Sequence, residues 1–301
     1  MVPPRPPIKE RPMQRHWIHA WLLLTPAFVF LLAFTHIPAL TTLWQSFRTT
    51  PRGRRPSRWA GLENYQELIS DPIFWKVLGN NIWFAIGTIP TSILIALVMA
   101  LWVSERLPGR GFVRMAYFTP TVLPMIAVAN IWLFFYTPGF GLFDQITGFF
   151  GFGQSNVLGS PKTALVGVMV VTIWKEAGFF MIFYLAALQT IPPSLIEAAR
   201  IEGAGPWTIF RRVTFPLLMP TTLFIGVNAV VNAFRMIDHI FVLTGGGPDN
   251  ASSLLLYYIY ETAFRFWDTS YAASLTVVLL ALLALLALGQ FFFLDRKVHY
   301  K

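Results

Sequence analysis

The chain has 301 residues, of which 55% are hydrophobic and 12% charged, and its apolar residues fall in runs long enough to cross a bilayer, so an ordinary soluble protein is excluded. It has no cysteine, which excludes disulfides, thiolate catalysis and cysteine-held zinc or iron–sulfur sites. The formal charge of +9 does not call for a nucleic-acid partner, because the basic residues lie in tails and loops beside apolar runs, as membrane proteins place them.

Residues 1–19 read as a basic tail carrying Arg5, Lys9, Arg11 and Arg15. Six spans are predicted, at 20–47, 81–103, 113–136, 164–188, 217–240 and 271–294, followed by a tail at 295–301. The first run contains Pro26 and Pro38. It is longer than a signal-peptide core and more spans follow it, so it reads as an uncleaved helix. Each run can cross roughly 30 Å of hydrocarbon at about 1.5 Å per residue. Backbone groups in lipid must pair within their own segment, so the predicted class is an all-α integral membrane protein.

An even number of spans places both termini on one side, and basic residues choose the side. The N-terminal tail, the loop with Arg106, Arg110 and Arg114, the loop with Arg200, Arg211 and Arg212, and the tail with Arg296, Lys297 and Lys301 fall together. The loops at 137–163 and 241–270 carry only Lys162 and Arg265. Both termini are therefore expected in the cytoplasm. The loop at 48–79 runs against this pattern, with Arg48, Arg52, Arg54, Arg55, Arg58 and Lys76 against Glu63, Glu67 and Asp71. It reads either as a solvated loop that translocates regardless, or as a contact for an external partner or anionic solute.

The most informative stretch lies between spans four and five, from Ile191 to Pro216. Ser194 and Glu197 have the spacing of a capping box, with Pro192 and Pro193 blocking an earlier start. A short helix to about Glu202 is predicted, ended by Gly203-Ala204-Gly205. Pro206 suits the first turn of a second helix, Trp207–Arg212. The expectation is a helix–turn–helix hairpin on the cytoplasmic face.

Glu197-Ala198-Ala199, Gly203 and then Phe215-Pro216 resemble the EAA loop of permease subunits in ATP-binding-cassette (ABC) importers. Leu188-Gln-Thr-Ile-Pro192, Leu243-Thr-Gly-Gly-Gly-Pro248, Ile259-Tyr260 and Ala263-Phe264 are similar to the carbohydrate-uptake branch, to the maltose-type and glycerol-3-phosphate permeases in particular, and the tail 295–300 to the latter. The resemblance implies a six-span permease of the type I importer kind in the bacterial inner membrane, with a cytoplasmic coupling hairpin at 189–216. It implies that Glu197, Ala198, Ala199, Glu202, Gly203, Ala204, Pro206 and Arg211 couple to an ATPase. It further implies a heterodimer with a second homologous permease, two ATPase subunits that hold ATP and Mg²⁺, and an external solute-binding protein. The cargo it implies is a sugar or a sugar or polyol derivative, such as glycerol-3-phosphate or a phosphorylated or sulfonated sugar. This chain itself would bind no cofactor or metal. It has no Gly-x-x-x-x-Gly-Lys-Ser/Thr loop, and Gly203–Pro206 lacks the lysine and the preceding strand, so ATP hydrolysis is expected in a separate subunit.

Polar residues inside spans are costly and mark candidate pathways. On a continuous helix Asn228, Asn232, Arg235 and His239 share one face, and Asp238 could pair with Arg235. In the maltose-type permeases amides stand near Arg235–Met236, so Arg235 departs from that pattern. An arginine there would suit an anionic solute through bidentate contacts. The alternative is a packing role for an Arg235–Asp238 pair, or a snorkelling arginine. Lys175 and Glu176 read as cancelling one another near the outer end of span four. Trp174 suits a sugar-stacking platform or an interfacial belt, and Asn130 is a weaker pathway candidate. A secondary transporter or channel without an ATPase is the alternative class, but no internal repeat supports it. The histidines, His16, His19, His36, His239 and His299, are scattered and compose no enzyme site.

Overall fold

The computed structural model describes residues 14–104, 109–151 and 156–295. The readings that rest on Arg5, Lys9, Arg11, Arg106 and the tail from Arg296 to Lys301 lie outside the described residues. Among the described residues the chain is helical, with isolated antiparallel bridges at Arg48–Trp59 and Arg52–Arg55.

The first span consists of α1 (Gln14–Leu31) and α2 (Ile37–Gln45). Between them Leu32–His36 widens into a π turn. Pro38 accounts for the widening, because it lacks an N–H and its ring crowds the carbonyl four residues back. No residue of Ala20–Gln45 is buried within the chain. A basic hairpin follows, then α3 (Glu63–Ser70) and the 33-residue α4 (Pro72–Ser104). α4 begins nine residues ahead of the predicted span, where Pro72 occupies its first turn and the Asp71 carboxylate accepts the Ile73 N–H at 2.8 Å.

The third span is two helices, α5 (Arg110–Val122) and α6 (Met125–Phe135), bent by 102° at Leu123–Pro124. Leu123 is extended (φ −73°, ψ 138°), the conformation a following proline imposes. After α7 (Leu142–Phe149), α8 (Ala164–Thr190) runs unbroken. The connection to the fifth span carries α9 (Pro193–Ile201) and α10 (Pro206–Ile209). The fifth span proper is α11 (Phe215–Arg235), then come α12 (Asp238–Leu243), α13 (Leu255–Tyr260) and α14 (Thr269–Asp295). Among the described residues five helices are long and apolar enough to cross a bilayer, and the bent pair makes a sixth if it is one span.

α4 and α8 form the most extensive helix pair. One buried cluster, with Phe84, Val171, Ile240, Leu255 and Leu275, fills one end. A second, with Leu97, Phe180, Tyr184, Leu218 and Ile225, fills the end toward α9. Gly178 sets how closely α8 approaches α5: a Cβ there would lie 2.2 Å from the Tyr117 carbonyl oxygen. At the opposite end the basic hairpin is tied down rather than free. Asn64 donates to the Ser46 and Arg48 carbonyls at 2.7 and 2.9 Å, and Arg52 pairs with Asp268 at 3.1 Å. Thr244–Pro248 makes a tight turn in which Gly246 (φ +78°) packs on Tyr257; a Cβ would lie 2.7 Å from the ring.

Candidate functional site

The connection between α8 and α11 is a hairpin, but its chemistry differs from the sequence expectation. α9 starts at Pro193 with Pro192 as its cap residue, and no side chain caps it. The Ser194–Glu197 capping box is therefore not formed. Pro193 does not block the start; its fixed φ suits the first helical position, and the helix begins two residues earlier than a Ser194 cap would set it. The other end of α9 has two interlocked backbone bonds. Gly203 (φ +79°) donates to Arg200 O at 3.0 Å, and Ala204 donates to Ala199 O at 2.9 Å. This pattern uses the left-handed conformation that glycine adopts without a Cβ penalty. α9 buries none of its residues fully; Glu197 and Ala198 are exposed and Ala199 is half-buried.

The second arm is not the separate helix Trp207–Arg212. α10 runs through the widened turn Phe210–Thr214 straight into α11, one apolar helical stretch from Pro206 to Arg235. As in the first span, the widened turn stands just ahead of a proline, here Pro216. These 30 residues make a rod about 45 Å long, with Pro206 and Arg211 at one end and Arg235 at the other.

At that far end the predicted stripe is interrupted. The fifth helix stops at Arg235 instead of continuing to residue 240, Met236 is extended (ψ 122°), and His239 belongs to α12. Asn232, Arg235, Asp238 and His239 still border one cavity of about 330 Å³, joined there by Met125, Lys175 and Met236. His239 is fully buried, its Nε2 3.2 Å from Thr172 Oγ1 and its ring 5.9 Å from Phe84. Asn232 donates to the buried Glu176 carboxylate at 3.2 Å. Arg235 and Asp238 do not pair, and neither do Lys175 and Glu176; the ion pairs among the described residues are Arg52–Asp268 and Arg265–Glu261. The two pairs fail because the break after Arg235 redirects Asp238, and because adjacent helical residues point apart.

Three candidates fall outside the cavity. Asn130 and Asn228 turn their amides back onto Ile126 O and Phe224 O of their own helices, both at 2.8 Å. Trp174 packs edge-on against Trp132 at 5.7 Å and is partly exposed.

Two residues hold the broken spans: Lys175, expected only to cancel Glu176, and Asn81, to which the sequence alone assigns no role. Proline at 124 leaves the Pro120 carbonyl without its helical donor. The Lys175 ammonium takes that carbonyl at 3.3 Å and the Leu123 carbonyl at 2.5 Å. The break after Arg235 likewise strands the Ala233 carbonyl. Buried Asn81 donates to it at 3.2 Å and accepts the Leu255 N–H at 2.9 Å. A charge or amide inside an apolar helix was the available signal, but which of several such residues does this work depends on the neighbouring helix.

A bundle of membrane-length helices with two broken spans around a polar cavity, and a rigid exposed hairpin at one end, defines a membrane permease. Residues 89–300 match the model of the family described as binding-protein-dependent transport system inner membrane component, and the chain belongs to that family. It is 34% identical over 92% of its length to a probable ABC transporter permease protein, YurN, of Bacillus subtilis, covering 96% of that protein. It is 32% identical over 97% of its length to the sn-glycerol-3-phosphate transport system permease protein UgpA of Salmonella typhimurium, covering 99% of that protein. In fold it is similar to a chain of a bacterial ABC transporter involved in the import of the acidic polysaccharide alginate, with a TM-score of 0.82 at 22% identity, covering 95% of this chain and 98% of that one. The chain is thus a multi-pass permease subunit of an ABC importer, a class whose ATPase is a separate subunit and which works with a solute-binding protein. The alternative of a transporter without an ATPase falls with that membership.

Proposed function

We propose that this subunit passes an anionic sugar or polyol derivative through the cavity between α6, α8 and the break after α11. The observation that carries the reading is Arg235. It borders the cavity and makes no ion pair or hydrogen bond among the described residues. An unpaired guanidinium at membrane depth is costly unless an anion or water meets it, and its fork fits phosphate or carboxylate bidentately. Lys175 adds positive potential from the facing wall, and Asp238 supplies an acceptor for hydroxyl groups. The relationship to sn-glycerol-3-phosphate permeases supports the same solute chemistry.

The hairpin Pro193–Thr214 is the coupling element in this reading. Glu197, Ala198, Ala199, Glu202, Gly203, Ala204, Pro206 and Arg211 would seat it on an ATPase in the cytoplasm, with both termini on that side and a second permease completing the pathway. ATP and Mg²⁺ act in that ATPase. Movement of the hairpin would be carried by the Pro206–Arg235 rod to the cavity, a physical two-state coupling of the kind that allostery requires.

The test is uptake by the assembled importer with Arg235→Gln. Transport of a phosphorylated or carboxylated solute should fall at least tenfold, and a neutral analogue should change less than threefold. An unchanged preference between the two removes Arg235 from the solute site.

A further inference from the structure

A second and larger cavity, of about 1120 Å³, opens at the hairpin end of the bundle, apart from the pathway, with Ala204 and Pro206 of the hairpin at its edge. Its wall is aliphatic: Leu94, Leu97, Val98 and Leu101 from α4, and Leu185 and Leu188 from α8. Leu97 and Leu185 form a buried floor, while Leu94 and Val98 on the rim are 61% and 57% exposed. Its mouth is polar and cationic. Arg114 of α5 and Arg200 of α9 line it, and the Arg114 Nε is buried with no hydrogen-bond partner among the described residues. Trp207, 69% exposed and stacked on Phe210 at 5.4 Å, stands at the same level.

This layering has an orientation. Aliphatic residues line the trough along the spans, and two guanidiniums and an indole mark its end. Arginine and tryptophan at that depth match the headgroup region of a bilayer, and the aliphatic wall matches its acyl region. We infer that the trough is a binding site for an anionic glycerophospholipid, its phosphate held by Arg114 and Arg200 and one acyl chain lying on Leu94–Leu101. Basic pockets between spans on the cytoplasmic side suit such headgroups. A free phosphate would satisfy the arginines but would leave the aliphatic wall unfilled, so the whole lipid is the occupant. Because α9, α10 and α5 all border the trough, the lipid braces the hairpin against the ends of the spans. The inference rests on the proposed topology only for the choice of leaflet.

The experiment uses the assembled importer in nanodiscs. Phosphatidylglycerol and phosphatidylcholine, each with a photoreactive group midway along one acyl chain, are cross-linked and the labelled peptides are mapped. Phosphatidylglycerol should label residues 94–101 and 185–188 at least fivefold more than phosphatidylcholine. Arg114→Gln with Arg200→Gln should remove that excess, Arg114→Lys should restore most of it, and inorganic phosphate at millimolar concentration should not compete. Equal labelling by the two lipids, labelling that survives both glutamines, or a trough shielded by a neighbouring subunit in the complex would each overturn the inference. Nothing in this readout requires transport, so it stands or fails separately from the anionic-solute reading.

Discussion

The hairpin and the cavity beside Arg235 occupy the two ends of one rod, yet they are built by opposite rules. The hairpin is local. Its helix start is set by Pro193, its turn by Gly203, and its bonds join residues at most five apart. The cavity is non-local. Its broken spans are held by Lys175, reaching more than fifty residues back to Pro120 and Leu123, and by Asn81, reaching Ala233. A surface that must fit a partner can be stiff through its own backbone. The hydrocarbon of a bilayer offers no water to free carbonyls, so the buried ends of broken helices need polar side chains from other spans.

The contrast can be broken most severely at Gly203. Proline cannot adopt its φ of +79° and cannot donate to Arg200 O. Gly203→Pro should abolish ATP-driven uptake, by more than tenfold, with membrane insertion intact and the ATPase no longer co-purifying. Full co-purification would remove the hairpin from the docking surface. Gly203→Ala has open space around its Cβ and should cost only about 1 kcal/mol of local conformational strain, with modest loss of uptake.

Gly178 is the matching probe in the core. Gly178→Leu drives a side chain into the Tyr117 carbonyl and should cost about 1–3 kcal/mol by overpacking, read as a lower thermal midpoint and lower yield in detergent. Equal tolerance of side chains at Gly178 and Gly203 would erase the distinction between the two regions.

Lys175→Met keeps length and loses the charge. The Pro120 and Leu123 carbonyls then go unpaired, at about 1–3 kcal/mol each if they stay dry. Uptake should drop and spin-label distances across the bend at 123–124 should broaden, with Lys175→Arg recovering part of both. Unbroadened distances would mean that Pro124 alone fixes the bend.

The smallest effect is expected at the end of the bundle opposite the hairpin. One Asp71 carboxylate oxygen accepts the hydroxyls of Tyr258 and Tyr271, both at 2.7 Å. Burial pushes this carboxyl up, but those bonds and the backbone bonds from Ile73 and Phe74 outweigh it and hold it below its ordinary value of 3.8. A depressed value stabilises the fold above the unfolded pKa, and the stabilisation is lost as pH falls through the folded one. Asp71→Asn should lower stability by about 1 kcal/mol, with a constant gap to the parent chain from pH 8 to pH 5. The gap should close only below 3.8. Closure between pH 6 and pH 5 would mean the carboxyl is not held by these tyrosines.

Much of the molecule was legible in its residues. Apolar runs longer than the bilayer is thick gave the helical class, because the backbone in lipid has no other way to pair. Glu197-Ala-Ala199 with Gly203 at a fixed spacing marked the hairpin, because glycine takes the left-handed turn that ends a helix without a Cβ penalty. What the residues could not show was which polar groups in the spans work across helices. Asn130, Asn228 and Lys175 look alike as polar residues in apolar surroundings. Only packing decides that two amides fold back on their own helices while the lysine crosses to a broken one. The same holds for Arg235 and Asp238, whose expected pairing assumed a helix that ends between them. Sequence determined the spans and the turn through local rules; the tertiary structure decided the breaks, the guanidinium of Arg235 left unpaired among the described residues, and the trough beside the hairpin, because each depends on what the neighbouring span presents.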